Sequence, residues 1–219
     1  MSRGRFITLE GGEGTGKSTQ ARLLQSRLEA AGRRVVLTRE PGGSPFAEQV
    51  RELLIGQATA PHSPLSEALL FNAARHDHLE RTIRPALAAG AFVVCDRFAD
   101  STRVYQGAAG GLSLDKLETL ERLVVGDTVP DLTFILDLPA AEGLARASRR
   151  RQQQGAAVAV VDAYEQRPLA FHERLREGFR AIAAAEPLRC VLIDAARPRD
   201  AVGTDIWAAV AARFRGELG

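Results

Sequence analysis

An α/β architecture, a five-stranded parallel sheet with helices on both faces, follows from three features of this 219-residue chain. Short apolar segments alternate with longer amphipathic ones, the pattern of a sheet whose strands are joined by helical crossovers. Some of the short segments, such as Ala91-Phe92-Val93-Val94-Cys95, are apolar almost throughout, as strands covered on both faces must be. Between the first strand and the first helix, Gly11 to Ser18 reads G-G-E-G-T-G-K-S. Strand, glycine loop and helix in that order form a phosphate-binding context.

Taken in order, Arg5 to Glu10 gives β-branched and aromatic residues to the first strand, and Ala21, Leu23, Leu24 and Leu28 then recur with helical period. Arg34 to Thr38 predicts the second strand, stopped by Arg39-Glu40-Pro41-Gly42-Gly43. A short helix is expected around Ala47 to Leu54. Pro61 and Pro64 bracket a turn, and Ser63 or Ser66 is available to cap a long helix from about Leu65 to Ala89. Its candidate core contacts are Leu69, Leu70, Ala73, Ala74 and Ile83. Residues 91–95 make a third strand, expected to be central in the sheet. Leu114 to Val125 reads as helix, Leu132 to Leu136 as the fourth strand, and another helix starts after Pro139. Periodicity lapses from Gln152 to Val161, and helix resumes from about Glu165 to Ala185. Cys190 to Ile193 is the fifth strand, and Pro198 opens a last helix ending near Arg215. One domain over residues 1–219 is expected, with a short lid at about 146–163.

A formal net charge of +2 gives no general surface for nucleic acid or membrane. No run of apolar residues has the length of a membrane span. The two cysteines, Cys95 and Cys190, lie inside apolar strands and read as buried reduced thiols. With no leader segment visible, the expected compartment is the cytoplasm.

The glycine loop carries the clearest chemistry. Its backbone N–H groups can curl around phosphate oxygens at the positive end of the following helix. Lys17 would reach the β- and γ-phosphates of a nucleoside triphosphate, and Ser18 would hold Mg²⁺. The chain has only two lysines, Lys17 and Lys116, among 29 basic residues. A lysine kept here while arginine serves almost everywhere else points to a compact charge on phosphate. Asp96-Arg97 follows the third strand directly, where a carboxylate can hold Mg²⁺ and an arginine can clamp a phosphate. Phe71 and Arg75 share one side of a helix. They suit stacking on and bonding to a base, although periodicity alone reads them as a core residue and a solvated charge. Arg146, Arg149 and Arg150 have i, i+3, i+4 spacing with Arg151 adjacent, a stripe whose mutual repulsion a bound polyanion would reverse. Arg103, Tyr105 and Gln106 put donors and acceptors for a base and sugar within one turn.

Together these motifs resemble the bacterial thymidylate kinases, with the phosphate-loop NTPase fold. The resemblance rests on Glu10 to Thr19, Arg39 to Gly43, Asp96-Arg97 with Ser101-Thr102 and Tyr105-Gln106-Gly107, Pro130 to Thr133, Phe171 to Arg174, and Ile193-Asp194-Ala195 before Pro198. It implies transfer of the γ-phosphoryl group of ATP to dTMP with Mg²⁺, and a homodimer. By the same resemblance, ATP would be bound by Gly11, Gly12, Glu13, Gly14, Thr15, Gly16, Lys17, Ser18 and Thr19, with Arg146, Arg150, Ala195 and Arg197. The resemblance assigns dTMP to Arg39, Arg51, Phe71, Arg75, Arg97, Ser101, Thr102, Tyr105 and Gln106, and the metal to Ser18 and Asp96. Catalysis would fall to Lys17, Arg97, Glu13 and the stripe Arg146, Arg149 and Arg150. The stripe is implicated because one branch of the family carries a loop arginine at the position of Gly14. A departure lies at Asp162-Ala163-Tyr164-Glu165, where relatives usually have arginine second; Arg149, Arg150 or Arg151 is expected to take over that contact. The rival reading is a kinase of the same fold acting on another nucleotide. A guanine-specific switch is disfavoured, because the one asparagine, Asn72, precedes Ala73 rather than the lysine of an Asn-Lys-x-Asp motif.

Overall fold

The computed structural model describes residues 3–55, 62–154 and 164–218. Its five strands are β1 Phe6–Glu10, β2 Val35–Arg39, β3 Phe92–Asp96, β4 Leu132–Asp137 and β5 Cys190–Asp194. All neighbours pair in parallel, in the order β2-β3-β1-β4-β5. The central strand is therefore β1, and β3 lies between it and β2. Both are buried almost throughout, but β1 carries Thr8 and Glu10 while residues 91–95 are wholly apolar, so composition pointed to β3 rather than β1 as the middle strand.

Successive residues of β1 point to opposite faces. Ile7 and Leu9 join Val94 and Phe134 beneath helices α1 (Lys17–Ala30) and α9 (Arg199–Arg213), which contribute Leu24, Leu28, Val202 and Ile206. Phe6 points the other way, with Val93 and Cys95, onto Leu79, Ile83 and Leu87. Further along that face, Ile135 packs against Val104, Phe171, Leu175 and Phe179. Thr8 and Glu10 share the face of Phe6. Thr8 pairs its hydroxyl with that of Thr133 at 2.7 Å, leaving Glu10 at the carboxyl edge, where ligands bind in sheets of this kind.

The helix expected from Leu65 to Ala89 is present in three parts: α3 (Pro64–His78), a π-helical turn over Leu79–Ile83, and α4 (Arg84–Ala88). Ser63 caps it, its hydroxyl accepting from the Ser66 N–H at 3.2 Å. Pro85 has no N–H and its ring would crowd the carbonyl four residues back, so the wider turn before it absorbs the mismatch. Leu69 and Ala73, expected toward the core, are exposed. Ala74 and Ile83 are buried as expected, and the buried side of α3 also carries Glu67, Asn72, Arg75 and His78. Helix α8 (Leu169–Ala185) begins later than expected; residues 164–167 form a turn and Pro168 precedes the first helical residue. A short helix, α5 (Ala99–Thr102), continues into a π-helical turn over Arg103–Ala108, which the sequence pattern did not show. The remaining helices are α2 (Pro45–Ile55), α6 (Leu114–Val124) and α7 (Ala140–Gln154). Residues 155–163 of the expected lid, Ala163 among them, lie outside the described residues.

Candidate active site

The phosphate loop, Lys17, Ser18, Asp96 and Arg97 meet at the ends of β1 and β3, whereas Arg146, Arg149 and Arg197 lie away from them. In the loop between β1 and α1, Gly14 adopts φ +66°, and a Cβ there would lie 2.0 Å from the carbonyl oxygen of Gly143 in α7. Neither handedness nor space admits a side chain at that position. The Lys17 ammonium is buried against the loop, donating to the Gly12 carbonyl at 2.6 Å and the Gly11 carbonyl at 3.2 Å. Burial, reinforced by the Arg97 charge, pulls its pKa down to about 8. Ser18 donates its hydroxyl to Asp96 Oδ2, so a hydroxyl and a carboxylate converge at the strand edge. Hard oxygen donors of this kind suit Mg²⁺, which takes few protein ligands and keeps water and phosphate as the rest of its shell. No cluster of three or more His, Cys, Asp or Glu occurs among the described residues.

Arg97 is held at φ +70°, an uncommon conformation for a residue with a side chain. Its N–H donates to the Leu9 carbonyl at 2.9 Å, and the Cys95 thiol donates to the Arg97 carbonyl at 3.0 Å. The guanidinium then turns inward, donating to Gly11 O at 2.9 Å, Glu13 Oε1 at 2.8 Å and the Tyr105 phenol oxygen at 2.9 Å. Tyr105 donates in turn to Glu13 at 2.5 Å. Burial alone would raise the Glu13 carboxyl. Arg97, Lys17 and Tyr105 outweigh it and hold the pKa at about 2. Beneath this cluster Glu10, fully buried, accepts from the Phe98 N–H at 2.7 Å and the Ser101 hydroxyl at 2.6 Å. Burial and then the neighbouring Asp100 push its pKa up to about 7.

An open cleft of about 960 Å³ extends from the loop across the sheet edge. Arg39, Arg51, Phe71, Arg75, Ser101, Thr102, Tyr105 and Gln106 line it along with Lys17, Ser18, Asp96 and Arg97. Arg75 is not the solvated charge that periodicity alone suggests. It is 3% exposed and pairs through Nε with Glu40 at 2.8 Å, while Nη2 donates to Phe98 O at 3.2 Å and Thr102 Oγ1 at 3.0 Å. His78 holds the second Glu40 oxygen at 3.0 Å and meets the Thr38 hydroxyl at 2.7 Å. Arg51 donates to the Pro41 carbonyl at 2.8 Å, and Arg39 pairs with Glu48 at 3.1 Å. Gln106 is buried, its amide nitrogen 2.9 Å from Glu67 Oε2 and 3.1 Å from the Tyr164 phenol.

The arginine stripe on α7 divides. Arg146 leaves the cleft and donates to the Ala195 carbonyl at 2.9 Å, joining α7 to the loop after β5. Arg197, on that loop, pairs with Asp205. Arg149 is exposed and does not line the cleft. Arg150 does, beside Arg151, and both face Glu165, at 3.6 Å and 2.5 Å. Glu40, Glu67, Tyr164 and Glu165 were not singled out for the site, whereas Arg151 was expected beside the stripe. Glu40 and the Tyr164-Glu165 pair stand within quoted motifs, a usable signal. Glu67 is one helical glutamate among many and gave none.

The site's likeness to known proteins is specific. The model of the family described as thymidylate kinase matches residues 9–206. The thymidylate kinase of Caulobacter vibrioides is 56% identical over 214 residues, covering 98% of this chain and 99% of that protein. The chain belongs to the thymidylate kinase family. The thymidylate kinase of Rhodopseudomonas palustris is 55% identical, over 97% of this chain and 90% of the relative. Among solved structures, thymidylate kinase from Ehrlichia chaffeensis superposes with a TM-score of 0.74 at 35% identity, covering 95% of this chain and 99% of that one. The family comprises ATP-dependent kinases that phosphorylate dTMP to dTDP.

Proposed function

We propose that this chain, as one kinase domain, transfers the γ-phosphoryl group of ATP to dTMP through the cleft at the sheet edge. The observation that carries the reading is the meeting, in one open cleft, of the phosphate-loop Lys17, the Ser18–Asp96 pair and the Arg97–Glu13–Tyr105 cluster with Phe71, Arg75 and Gln106. An oxygen of the dTMP phosphate attacks the γ-phosphorus, the bond to the β,γ-bridging oxygen breaks, and ADP leaves. That oxygen is already ionised at neutral pH, so alignment and charge cancellation replace a strong general base. Lys17 carries charge to the β- and γ-phosphates. Arg97, turned inward by its backbone and fixed by Glu13, grips the acceptor phosphate between the two substrates. Arg150 and Arg151 supply the charge that a side chain at Gly14 cannot. Arg146 and Ala195 border the adenine, with Arg197 nearby; Arg39 and Arg51 reach toward the acceptor phosphate. Mg²⁺, held by Ser18 and Asp96, would neutralise charge on the β- and γ-oxygens.

Two further parts of the reading have their own support. Phe46, Leu53, Leu65 and Leu69 leave large apolar side chains exposed on α2 and α3, the face we assign to a homodimer. Cys95 and Cys190 are unpaired and buried, and no helix among the described residues is long and apolar enough to cross a membrane. The free thiols fit a reducing cytoplasm, the compartment we assign. The test is a coupled ADP-release assay with ATP, Mg²⁺ and dTMP, dUMP, UMP, dCMP, AMP or GMP. Turnover strongest on dTMP, weaker on dUMP and negligible on purines is expected. Turnover best on another monophosphate would leave the phosphate chemistry standing and remove the base-site assignment.

A further inference from the structure

Gln106 is 1% exposed yet borders the cleft, so the orientation of its amide decides what a base meets there. That orientation is dictated from behind. Tyr164 donates its phenol proton to Glu67 Oε2 at 2.8 Å, and Gln106 Nε2 lies 2.9 Å from the same carboxylate oxygen and 3.1 Å from the phenol oxygen. Arg167 Nη2 stands 3.7 Å from the other Glu67 oxygen and stacks 5.8 Å from the Tyr164 ring centroid, keeping a cation beside the carboxylate. An ionised carboxylate only accepts, and a phenol whose proton is already given can only accept again. Both therefore demand the NH₂ end of Gln106. Turning the amide over would set its oxygen against two acceptors in a buried place, a heavy penalty. Among the described residues Gln106 Oε1 accepts no hydrogen bond, and it is the end left for the cleft.

We propose that Glu67 is a positioning residue that locks the Gln106 carbonyl toward the cleft and so selects a base whose N3 carries a hydrogen. The inference rests on the reading above, in which Gln106 meets the base. Thymine and uracil present an N3–H donor beside the O4 acceptor. Cytosine presents a bare N3 and an amino group. Arg75 has donors only, and Gln106 locked this way offers an acceptor. That pair of signs matches the first arrangement and opposes the second at both positions. Without Glu67 the amide is free to turn, its NH₂ can meet the bare N3 of cytosine, and half of the discrimination goes. Glu67 itself need not touch the nucleotide.

The experiment compares kcat/KM for dTMP, dUMP and dCMP at saturating ATP in the wild type, Glu67→Gln, Glu67→Met and Gln106→Leu, with thermal unfolding to check each fold. Both Glu67 variants are expected to lower the dTMP/dCMP ratio at least tenfold. The dTMP/dUMP ratio should stay within about twofold, since those bases differ only in a methyl group remote from N3, and KM for ATP should not move. If Glu67 merely supports the fold, all three substrates suffer alike and both ratios stay put; that result overturns the proposal. Glu67→Met serves where the first variant does not fold. Gln106→Leu separates the layers of the argument. A raised KM for dTMP in that variant, with an unchanged dTMP/dCMP ratio in the Glu67 variants, removes the positioning role alone. An unchanged KM for dTMP removes the base-site reading beneath it.

Discussion

Single residues set the electrostatics of this site, and three of them give direct predictions. Lys17 is a cation whose pKa is drawn down to about 8 by burial and by Arg97. Its charged form, the one that grips phosphate, exists below that value and is lost above it. In the free enzyme, kcat/KM for ATP is therefore expected to fall as pH rises through about 8. Lys17→Arg, slower but permanently charged, should abolish that limb of the profile; an unchanged alkaline limb would contradict the assignment. Gly14→Ala places a methyl group against the Gly143 carbonyl and strains φ. A loop shift of even ~1 Å at the phosphates costs about a hundredfold in rate, and that is the loss expected in kcat/KM with far-UV circular dichroism unchanged. Arg75→Ala leaves Glu40 buried with only His78. Breaking a buried pair in this way costs about 3–5 kcal/mol, and the shared histidine points to the lower end. Urea unfolding measures that cost, and a dTMP KM raised in parallel would show that one group serves both stability and recognition.

At the scale of elements, the helix α7 divides its arginines between two tasks. Arg146 ties α7 to the loop after β5, while Arg150 and Arg151 face the cleft through Glu165. Alanine at Arg150 or Arg151 is expected to lower kcat by about a hundredfold or more, as losses of transition-state arginines do. Alanine at Arg149, exposed and outside the cleft, should change kcat by no more than about threefold. Near-wild-type turnover in both of the first two would remove them from the chemistry. The same helix shows how far a sequence can be read. The i, i+3, i+4 spacing placed the stripe on one face correctly, but spacing carries no record of what lies opposite, and the opposing groups separate the three. Strands β1, β3 and β4 and the phosphate loop were legible because burial on two faces and a glycine pattern leave local marks, while the edge strands β2 and β5, only partly buried, showed through their β-branched runs. The π-helical turns were not, since they answer to Pro85 and to packing against α8 rather than to any period. The polar burial of α3 was hidden for a related reason. Glu67, Arg75 and His78 are inside because Glu40, Gln106 and Thr102 come to them from elsewhere in the chain, and Asn72 follows by bonding Ala68 O and Arg75 within the helix.

On the scale of the molecule, parallel pairing brings the carboxyl ends of β1, β2 and β3 into one line. Leu9, Asp96 and Arg39 therefore stand in register despite wide separation in sequence, with Glu10 one residue beyond. The phosphate loop leaves one of those ends and Arg97 leaves another, the placement on which the proposed convergence of donor and acceptor phosphates rests. Phe134 holds this line from below, fully buried in the face shared with α1 and α9. Phe134→Ala is expected to cost about 3–5 kcal/mol of stability, measured by chemical denaturation. The central claim is that both nucleotides share this one cleft. Isothermal titration with a bisubstrate analogue, adenosine and thymidine joined through five phosphates, tests it most directly. One site per chain is expected, with affinity well above that of either nucleotide alone. The analogue should be displaced by ATP and by dTMP separately and weakened by Arg97→Ala. An analogue displaced by only one of the two nucleotides would show that the donor and acceptor sites do not meet here.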